Sequence, residues 1–274
     1  MEYIETVVSI IRHKNKILIL KRHPKTKNYP NGWSFVCGRV ERGEKPLEAA
    51  YREIKEETGL DEKSLNLIKK AKVYMDEDKE IGITWKINPF LFESKINKIK
   101  LNKENTNYKW VTIQELLDYN LIHGMVQIAI KLIGRLPSRK GILAIVYKDL
   151  DSFVTVKTRN GNITFVSGGI ERGESEIQAL RHELREEIGL VDEGISINKI
   201  PLTHEFTYKK GFLKGVVSRQ SVYLVKISED FKPKPMCDDV IEAKWMSRKE
   251  VIENLNFKSL VKIFKKSLEY LNRE

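Results

Sequence analysis

The spacing of hydrophobic and polar residues predicts strands at the start of the chain. Apolar and β-branched residues dominate 6–12 and 16–21, and the polar residues 13–15 separate the two runs. Short apolar runs interrupted by a tight polar turn are typical of a β-hairpin. We therefore expect the chain to begin with two antiparallel strands.

A helical period follows after the second strand. Leu47, Ala50 and Ile54 recur at the i, i+3, i+7 spacing of one buried helix face. Pro46 stands just inside the start of this segment and Gly59 just after its end, where these residue types favour helix initiation and termination. The pattern predicts a helix with one face in a core.

This helical segment belongs to a longer stretch that occurs twice. Residues 38–60 and 168–190 match in register, with glycines and glutamates at the same offsets. In the second copy Ile177, Leu180 and Leu184 form the predicted apolar face. Two matched copies of this length indicate an internal duplication, and the chain length suits two domains.

Each predicted helix also carries an acidic face beside its apolar one. Glu53, Glu56 and Glu57 stand at i, i+3 and i+4. Like charges at this spacing repel, and they lie near the helix C-terminus, where the helix dipole disfavours anions. Mg²⁺ or Mn²⁺ removes the conflict, because such hard cations bind carboxylate oxygens together with substrate phosphates. The acidic face therefore predicts a metal site for a phosphorylated substrate.

Strand and turn signals continue through the rest of the chain. Residues 69–75 and 81–92 are predicted strands on either side of the acidic segment 76–80, which we interpret as a solvated hairpin tip. Thr112 and Ser247 each precede a glutamate by three residues, the pattern of a helix capping box. Each half is therefore expected to close with a strand followed by a helix.

The second half repeats the plan after a short, turn-rich segment at 134–141, the predicted linker. Strands are expected at 142–147 and 153–157, and a long strand pair at 204–226. The shared order of elements supports duplication outside the acidic stretch.

Charge and cysteine content bear on the ligands and the cellular location of the protein, but they do not define its activity. The 274 residues carry a formal net charge of +11. A basic surface attracts phosphorylated ligands and is compatible with an RNA partner, although a solvated Lys- and Glu-rich surface is the simpler interpretation. Cys37 and Cys237 form no disulfide framework, and neither a signal-peptide pattern nor a membrane-length apolar run is evident. These features predict a cytoplasmic protein without a membrane partner.

The repeated stretch resembles the signature of a known family. The residue types and spacings of the complete Nudix box are found at Gly38, Glu44, Arg52-Glu53-Ile54, Glu56-Glu57 and Gly59-Leu60. The second copy matches except at His182, where the box has arginine. The first half also resembles MutT-type enzymes in its order of strand, loop and box.

This resemblance implies an α+β fold with two tandem Nudix domains, predicted at 1–136 and 137–274. Each would be an α/β/α sandwich with a mixed β-sheet between helices. The resemblance also implies Mg²⁺- or Mn²⁺-dependent hydrolysis of a nucleoside diphosphate linked to another group. The products would be a nucleoside monophosphate plus pyrophosphate or another phosphorylated group.

Roles for the box residues follow from the same resemblance. The predicted metal ligands are Gly38, through its carbonyl, Glu53, Glu56 and Glu57 in the first copy and Gly168, Glu183, Glu186 and Glu187 in the second. The expected catalytic set is Arg52, which would orient the glutamates, with Glu53, Glu56, Glu57, Glu183 and Glu187. Structural support is expected from Glu44, Glu174 and His182. Nudix enzymes differ in their general base, so no residue is assigned that role.

Outside the box the sequence offers further candidates for substrate contact. The resemblance makes Arg22, at the end of a predicted strand, a candidate for substrate contact, since several nucleotide-cleaving Nudix enzymes have a basic residue in this region. Arg39 follows the box glycine, and its guanidinium group is a candidate to bind phosphate. Glu93 follows an apolar strand, where some family members have an extra metal ligand or base, and Glu104 is a rival for that role. Lys226 stands at the position of Glu93 in the second half, which predicts a less complete metal set there. Possible substitutes are Asp238, Asp239 and Glu242.

His182 distinguishes the second copy from the first. Arginine donates several fixed hydrogen bonds, whereas histidine donates at most two. We therefore expect the first domain to be active and leave the activity of the second open. An inactive second domain would bind nucleotide without cleaving it or complete its neighbour's site. Because many Nudix enzymes pair as dimers, an internal pseudo-dimer of the two halves is a further hypothesis.

The substrate depends on loops outside the box. A nucleoside triphosphate, including an oxidised one, is favoured by the resemblance to MutT-type enzymes. ADP-ribose, a dinucleoside polyphosphate and a capped RNA end are alternatives. A nucleotide-sensing or RNA-binding protein without catalysis is the alternative from another class.

Overall fold

A computed structural model describes residues 3–134, 136–171, 173–191, 194–211, 213–227 and 231–271. The chain divides into two compact units. The first consists of 1–137 together with 208–216, and the second of 138–207 and 217–274.

The first unit is built on a mixed sheet whose described strands are β1 (Ile4–His13), β2 (Lys16–Arg22), β3 (Trp33–Ser34), β4 (Val36–Arg39), β5 (Leu65–Lys70), β6 (Tyr74–Asp78), β7 (Ile83–Ser94) and β8 (Asn105–Thr112). Its helices are α1 (Pro46–Thr58) and α2 (Met125–Ile133), with 3₁₀ turns at Glu62–Ser64 and Glu115–Asp118. Strand β1 is central, because it runs parallel to β7 and antiparallel to β2 and β4.

Alternation along β1 explains why helices cover both faces of this sheet. Val7 and Ile11 pack in the core cluster that contains the buried residues of α1. Val8 and Ile10 pack in the cluster that contains those of α2. Successive strand residues point to opposite faces, so a continuous apolar run is buried on both. The unit is therefore an α/β/α sandwich.

The second unit repeats the plan with β9 (Arg139–Asp149), β10 (Ser152–Thr158), β11 (Ile163–Thr164), β12 (Val166–Gly169), β13 (Ile195–Thr207), β14 (Val217–Ile227), β15 (Val240–Met246), α3 (Glu176–Ile188), α4 (Arg248–Asn254) and α5 (Lys258–Leu271). Strand β9 is parallel to β14 and antiparallel to β10 and β12. Ile142 packs on the α3 side and Leu143 on the α5 side. The predicted α+β class with a mixed sheet between helices is confirmed in both units.

The acidic segment after the first box is a solvated hairpin tip only in part, because Lys79 and Glu80 are exposed in the turn but Asp78 is buried. Strand β6 ends at Asp78, which is 1% exposed and accepts a hydrogen bond from the Tyr29 hydroxyl. Burial is tolerated because Tyr29 provides a partner for the carboxylate. The turn lies between β6 and β7, and the predicted strand 69–75 is divided between β5 and β6.

The two predicted capping boxes lead to different helices. The Glu250 N–H donates to Ser247 Oγ at 3.3 Å at the start of α4, as expected. The Glu115 N–H donates to Thr112 Oγ1 at 3.3 Å, but only a 3₁₀ turn follows. The α-helix that closes the first unit begins later, at Met125 of α2.

Two chain boundaries differ from the sequence expectation. Strand β9 already begins at Arg139, so the predicted linker is shorter than 134–141, and Arg135 lies outside the described residues. The segment 208–216, which the sequence assigns to the second half, belongs to the first unit and contributes Leu213 and Val216 to its core. No helix in the described part of the chain has both the length and the apolar character needed to cross a membrane.

Candidate metal and active site

The two acidic helices begin and end where their sequences predict. Pro46 opens α1, and Gly59 ends it in the left-handed region with φ 71°. Ser175 caps α3, and Gly189 ends it with φ 70°. Glycine adopts this conformation at little cost, which explains both helix ends.

The predicted apolar faces are mostly correct. Ala50 and Ile54 are completely buried in α1, and Leu180 and Leu184 are buried in α3. Ile177 is 39% exposed, so its predicted burial is wrong. It lies in the first turn of α3, where the buried residues Ala179 and Leu180 form the packed face instead.

Glu53 lies against the backbone of Gly38. A methyl group built on Gly38 would be 1.8 Å from Glu53 Cδ, so only glycine leaves room for the carboxylate. The Gly38 carbonyl accepts a hydrogen bond from Thr6 Oγ1 at 2.6 Å. Burial raises the pKa of Glu53, Arg52 opposes this rise, and the charge of Glu56 adds to it. Gly38, whose carbonyl was predicted as a metal ligand, is therefore in contact with Glu53, whose carboxylate was predicted as another.

Arg52 joins the box loop to the helix. Its Nε and Nη2 each donate to a carboxylate oxygen of Glu44 at 2.9 Å. Its Nη1 donates to Glu53 Oε1 at 2.7 Å, and Nη2 also donates to the Arg39 carbonyl at 2.9 Å. Paired, charge-assisted hydrogen bonds fix orientation as well as adding energy. This is the arrangement that the predicted roles of Arg52 and Glu44 require.

Glu57 is buried, with 5% exposure. Its Oε1 accepts from the Cys37 N–H at 3.1 Å, and its Oε2 accepts from Asn105 Nδ2 at 2.9 Å. Burial raises the pKa of Glu57 to about 8, and the charges of Glu53 and Glu104 add to the rise. Near neutral pH this carboxyl therefore holds a proton unless a cation takes its place.

A fifth carboxylate, Glu104, lies near the same cluster. Its charge contributes to the raised pKa of both Glu53 and Glu57. Its backbone carbonyl accepts from the His23 N–H at 2.8 Å, directly after β2. Of the two rivals that the sequence left open, the fold brings Glu104 to the box.

Glu93 lies elsewhere on the sheet. Its carboxylate pairs with Arg12 Nε at 2.5 Å and accepts from the Lys14 N–H at 3.1 Å. Arg12 is five residues along β1 from Val7, the residue paired with Gly38, which is about 17 Å at ~3.3 Å per residue. The substrate-binding expectation for Glu93 is therefore corrected. For the same reason, Lys226 at its counterpart position says nothing about the second metal set.

The second cluster repeats the contact between glycine and glutamate. A methyl group built on Gly168 would be 1.6 Å from Glu183 Oε1. Glu187 Oε2 accepts from the Ser167 N–H at 3.1 Å. Burial raises the pKa of Glu183 and raises that of Glu187 to about 8. The cluster therefore has the buried, mutually repelling carboxylates of its counterpart.

His182 does not reproduce the contacts of Arg52. Its Nε2 lies 3.0 Å from Glu186 Oε1, and its Nδ1 lies 3.8 Å from Glu174 Oε1. The imidazole therefore contacts the outer glutamate of the helix and only approaches the loop carboxylate. The bidentate bracing found in the first unit is absent between these residues.

Asp239 takes the place of Glu104 in the second unit. Its charge raises the pKa of Glu187, and its carbonyl accepts from the Arg159 N–H at 2.8 Å, directly after β10. The sequence named Asp239 only as one of three possible substitutes. The signal that identifies it is structural, because it occupies the turn before β15 as Glu104 does before β8.

A pocket of about 100 Å³ opens beside the first cluster, and it is lined by Thr6, Val8, Arg22, Asn28, Tyr29, Cys37, Asp76, Trp85, Ile87, Ile122, His123 and Met125. Arg22 Nε donates to the Asn28 carbonyl at 3.2 Å. Burial raises the pKa of the Cys37 thiol to about 12, and the charge of Arg22 acts against this rise. Arg22 is thus brought to the cluster, whereas Arg39 is exposed next to Gly38.

The donor set fits a hard divalent cation. Glu53, Glu56, Glu57 and Glu104 supply only oxygen donors, and their mutual repulsion is the kind that such a cation relieves. Among the described residues, no three carboxylate, imidazole or thiolate groups already converge on one metal position. Arg52 instead holds Glu53 and lies 3.5 Å from Glu56. A bound cation would therefore replace part of the Arg52 contacts.

Comparison with known proteins supports an assignment of the family. The NUDIX domain model matches residues 3–132 and 137–268. The RNA pyrophosphohydrolase of Bartonella henselae is 30% identical over 133 residues, 40% of this chain and 75% of that protein. The 8-oxo-dGTP diphosphatase of Escherichia coli is 31% identical over 83 residues, 30% of this chain and 64% of that protein. A solved C. elegans Ap4A hydrolase, 22% identical, aligns over 47% of this chain and 93% of its own at a TM-score of 0.40.

The domain matches and the hydrolase relatives place the chain in the pyrophosphohydrolase class of enzymes. The chain belongs to the Nudix family, with one match to the domain in each half. Hydrolases of this family generally use divalent metal ions.

Proposed function

We propose that the first unit hydrolyses a nucleoside triphosphate, or an oxidised one, to a nucleoside monophosphate and pyrophosphate with Mg²⁺ or Mn²⁺. The most direct support is that Glu53 packs against Gly38 and accepts a hydrogen bond from Arg52. This arrangement stands beside a pocket that Arg22 lines. One relative is named for a nucleoside triphosphate substrate of this kind.

The residues of the first cluster would have different roles in the reaction. A bound cation would neutralise charge at the diphosphate and would lower the pKa of an attacking water. Glu53, Glu56, Glu57 and the Gly38 carbonyl would hold it, and Arg52 orients Glu53 through a 2.7 Å hydrogen bond. Arg22, which lines the pocket, would bind a substrate phosphate.

Glu104 is our candidate for the proton transfer. Burial raises the pKa of Glu57 to about 8, and the cation would take the place of its proton, so Glu57 would serve as a ligand. Glu104 lies near the same cluster and is not held by Arg52 in the way that Glu53 is. A general base must lie close to the attacking water, and we assign this role to Glu104.

The pocket favours a flat group with a polar edge as the variable part of the substrate. Trp85, Tyr29 and Ile122 provide aromatic and apolar walls. The Asp76 carboxylate, 3.1 Å from His123 Nε2, provides a polar one. A nucleobase has flat faces that stack and edges that form hydrogen bonds, which is the chemistry this wall pattern accepts.

A substrate panel with Mg²⁺ tests the proposal. Product formation from nucleoside triphosphates, ADP-ribose, a dinucleoside polyphosphate and triphosphorylated RNA would be measured for wild type, Glu53→Gln and Glu183→Gln. Loss confined to Glu53→Gln supports the first unit. Full turnover in Glu53→Gln with loss in Glu183→Gln contradicts it. Asp76→Asn is expected to change the order of preference among bases, and Glu77→Gln, an exposed neighbour on β6, is the matched control.

A second candidate substrate is the triphosphorylated 5′ end of RNA. The net charge of +11 and the RNA pyrophosphohydrolase relatives favour it. Contacts to several phosphates would make KM rise steeply with salt, more than for a free nucleotide. A higher kcat/KM for RNA with this salt dependence would replace the first proposal. Saturable binding without product from any substrate would favour a nucleotide-binding protein instead.

A further inference from the structure

The second unit carries a guanidinium group beside its box glycines. Arg139 is the first residue of β9, and a methyl group built on Gly169 would be 2.4 Å from Arg139 Nη2 and 2.5 Å from Cζ. Gly169 is not among the glycines with a left-handed φ, so its backbone does not require glycine. Its missing side chain instead leaves the volume that the Arg139 guanidinium fills.

The first unit supplies a guanidinium at this place from a different strand. Thr6 pairs with Arg39, and Gly141 pairs with Gly169, so Gly169 is the counterpart of Arg39. The first unit therefore presents an arginine from the residue after its box glycine. The second presents one from β9, two residues before the paired position. The chemical group at this edge of the cluster is the same although its origin in the chain differs.

Arg139 also lies close to the second carboxylate cluster. Gly169 directly follows Gly168, whose Cα is in contact with Glu183. Burial raises the pKa of Glu183, and the charge of Arg139 is among those that act against this rise. The guanidinium, the box glycines and the Glu183 carboxylate are therefore neighbours. A guanidinium is a planar fork of donors that matches two phosphate oxygens.

We propose that Arg139 binds a phosphate of a diphosphate ligand at the second carboxylate cluster, in place of the side chain that Gly169 lacks. The inference rests on the proposed function only in assuming that these clusters bind metal-complexed diphosphates. It does not require the second unit to cleave them. The proposed role of Arg139 differs from that of the box arginine that His182 replaces, because the His182 ring contacts Glu186.

A site-resolved titration of the full chain tests this role. Amide NMR signals of Gly169 and Gly38 would be followed while methylenediphosphonate, which cannot be hydrolysed, is added with Mg²⁺. Arg139→Ala is expected to raise the Kd read at Gly169 about tenfold or more, because a charge-assisted hydrogen-bond pair is lost. The Kd read at Gly38 is expected to stay within about twofold. Arg139→Lys should recover only part of the loss, since an ammonium lacks the planar fork.

Two further variants separate this role from a change in net charge or folding. Lys140→Ala removes the same charge from the exposed neighbouring residue and is expected to leave both Kd values within about twofold. Gly169→Ala keeps every charge but displaces the guanidinium, so it should raise the Kd read at the amide of residue 169 even if Arg139→Ala does not fold.

The outcomes separate this inference from the proposed function. The inference is overturned if Arg139→Ala titrates like Lys140→Ala, or if wild-type Gly169 does not respond to the ligand while Gly38 does. If Gly169 responds in a manner that depends on Arg139 while Gly38 does not respond, the inference holds and the proposed function of the first unit fails.

Discussion

Glu53 and Gly38 compete for the same volume, since the carboxylate carbon lies 1.8 Å from the position where a side chain on residue 38 would begin. Gly168 and Glu183 repeat the relationship, with an oxygen at 1.6 Å. Each contact sets the direction of a carboxylate before any ligand binds. Because the glycine on the strand has no side chain, the glutamate on the helix can place its carboxylate there.

Gly38→Ala should therefore displace Glu53 and lower kcat by about a hundredfold, the usual effect of misplacing a reacting group by about 1 Å. Strand β4 should keep its pairing with β1, so far-UV circular dichroism is expected to be unchanged. Gly168→Ala makes the same change in the second cluster, and the ratio of the two losses measures how the activity divides. Full kcat in Gly38→Ala would show that the Glu53 position is unimportant for turnover.

Arg52→Lys is expected to lower kcat by about tenfold to a hundredfold, because one ammonium cannot reach Glu44, Glu53 and the Arg39 carbonyl together. Steady-state kinetics of purified variants measure this loss. A wild-type kcat for the lysine variant would show that charge alone suffices.

The reciprocal change, His182→Arg, should restore bracing to Glu174 in the second unit. In a Glu53→Gln background it is expected to raise any remaining turnover several-fold. His182→Gln, which keeps a hydrogen-bonding side chain of similar size without the guanidinium fork, is the matched control. Equal turnover in these two variants would argue that the arginine is not what the second unit lacks.

Glu104 and Glu93 form a matched pair of carboxylates, one near the box and one far from it. Glu104→Gln is expected to lower kcat by about tenfold or more, because it removes a charge beside Glu53 and Glu57. Glu93→Gln should leave kcat near wild type and cost about 1 kcal/mol or less in stability through its Arg12 partner. The reverse order of effects on kcat would contradict the placement of the fifth carboxylate.

The raised pKa of Glu57, about 8 from burial, predicts a stability that falls with pH. The folded state holds this proton more tightly than the unfolded chain. The favourable contribution is therefore complete below the ordinary carboxyl pKa and is lost as pH rises through about 8. Without metal, Glu57 should contribute a drop of roughly 1–3 kcal/mol in the free energy of unfolding between pH 6 and pH 9. Urea denaturation in EDTA across this range measures the slope.

Mg²⁺ and a point variant provide the controls for this slope. Saturating Mg²⁺ should stabilise the protein more at pH 8.5 than at pH 6, because the cation replaces the proton. Glu57→Gln should flatten the pH dependence, leaving the part due to Glu187, whose pKa is also raised to about 8 by burial. A slope that is identical in Glu57→Gln and wild type would assign the effect to other groups.

Two features of the first unit could be predicted only in part from the sequence. The rivalry between Glu93 and Glu104 was visible, but its outcome depends on strand pairing: β7 carries Glu93 beside Arg12, and the turn before β8 brings Glu104 to the helix. Asp78 was predicted to be solvated and is buried, because Tyr29 from a distant loop provides its partner.

The sequence by itself determined the duplication, the two acidic helices and their ends, and the box residues that lie together. These features depend on residues within about one helix and its flanking turns, where period, glycine conformation and like-charge repulsion act locally. Tertiary structure alone decided that Glu104 and Asp239 lie near the clusters, that 208–216 joins the first core, and that Arg139 fills the space over Gly169. Each of these contacts joins segments far apart in the chain. The pairing of strands brings Glu104, Asp239 and Arg139 to their positions, and side-chain packing brings 208–216 to the first core.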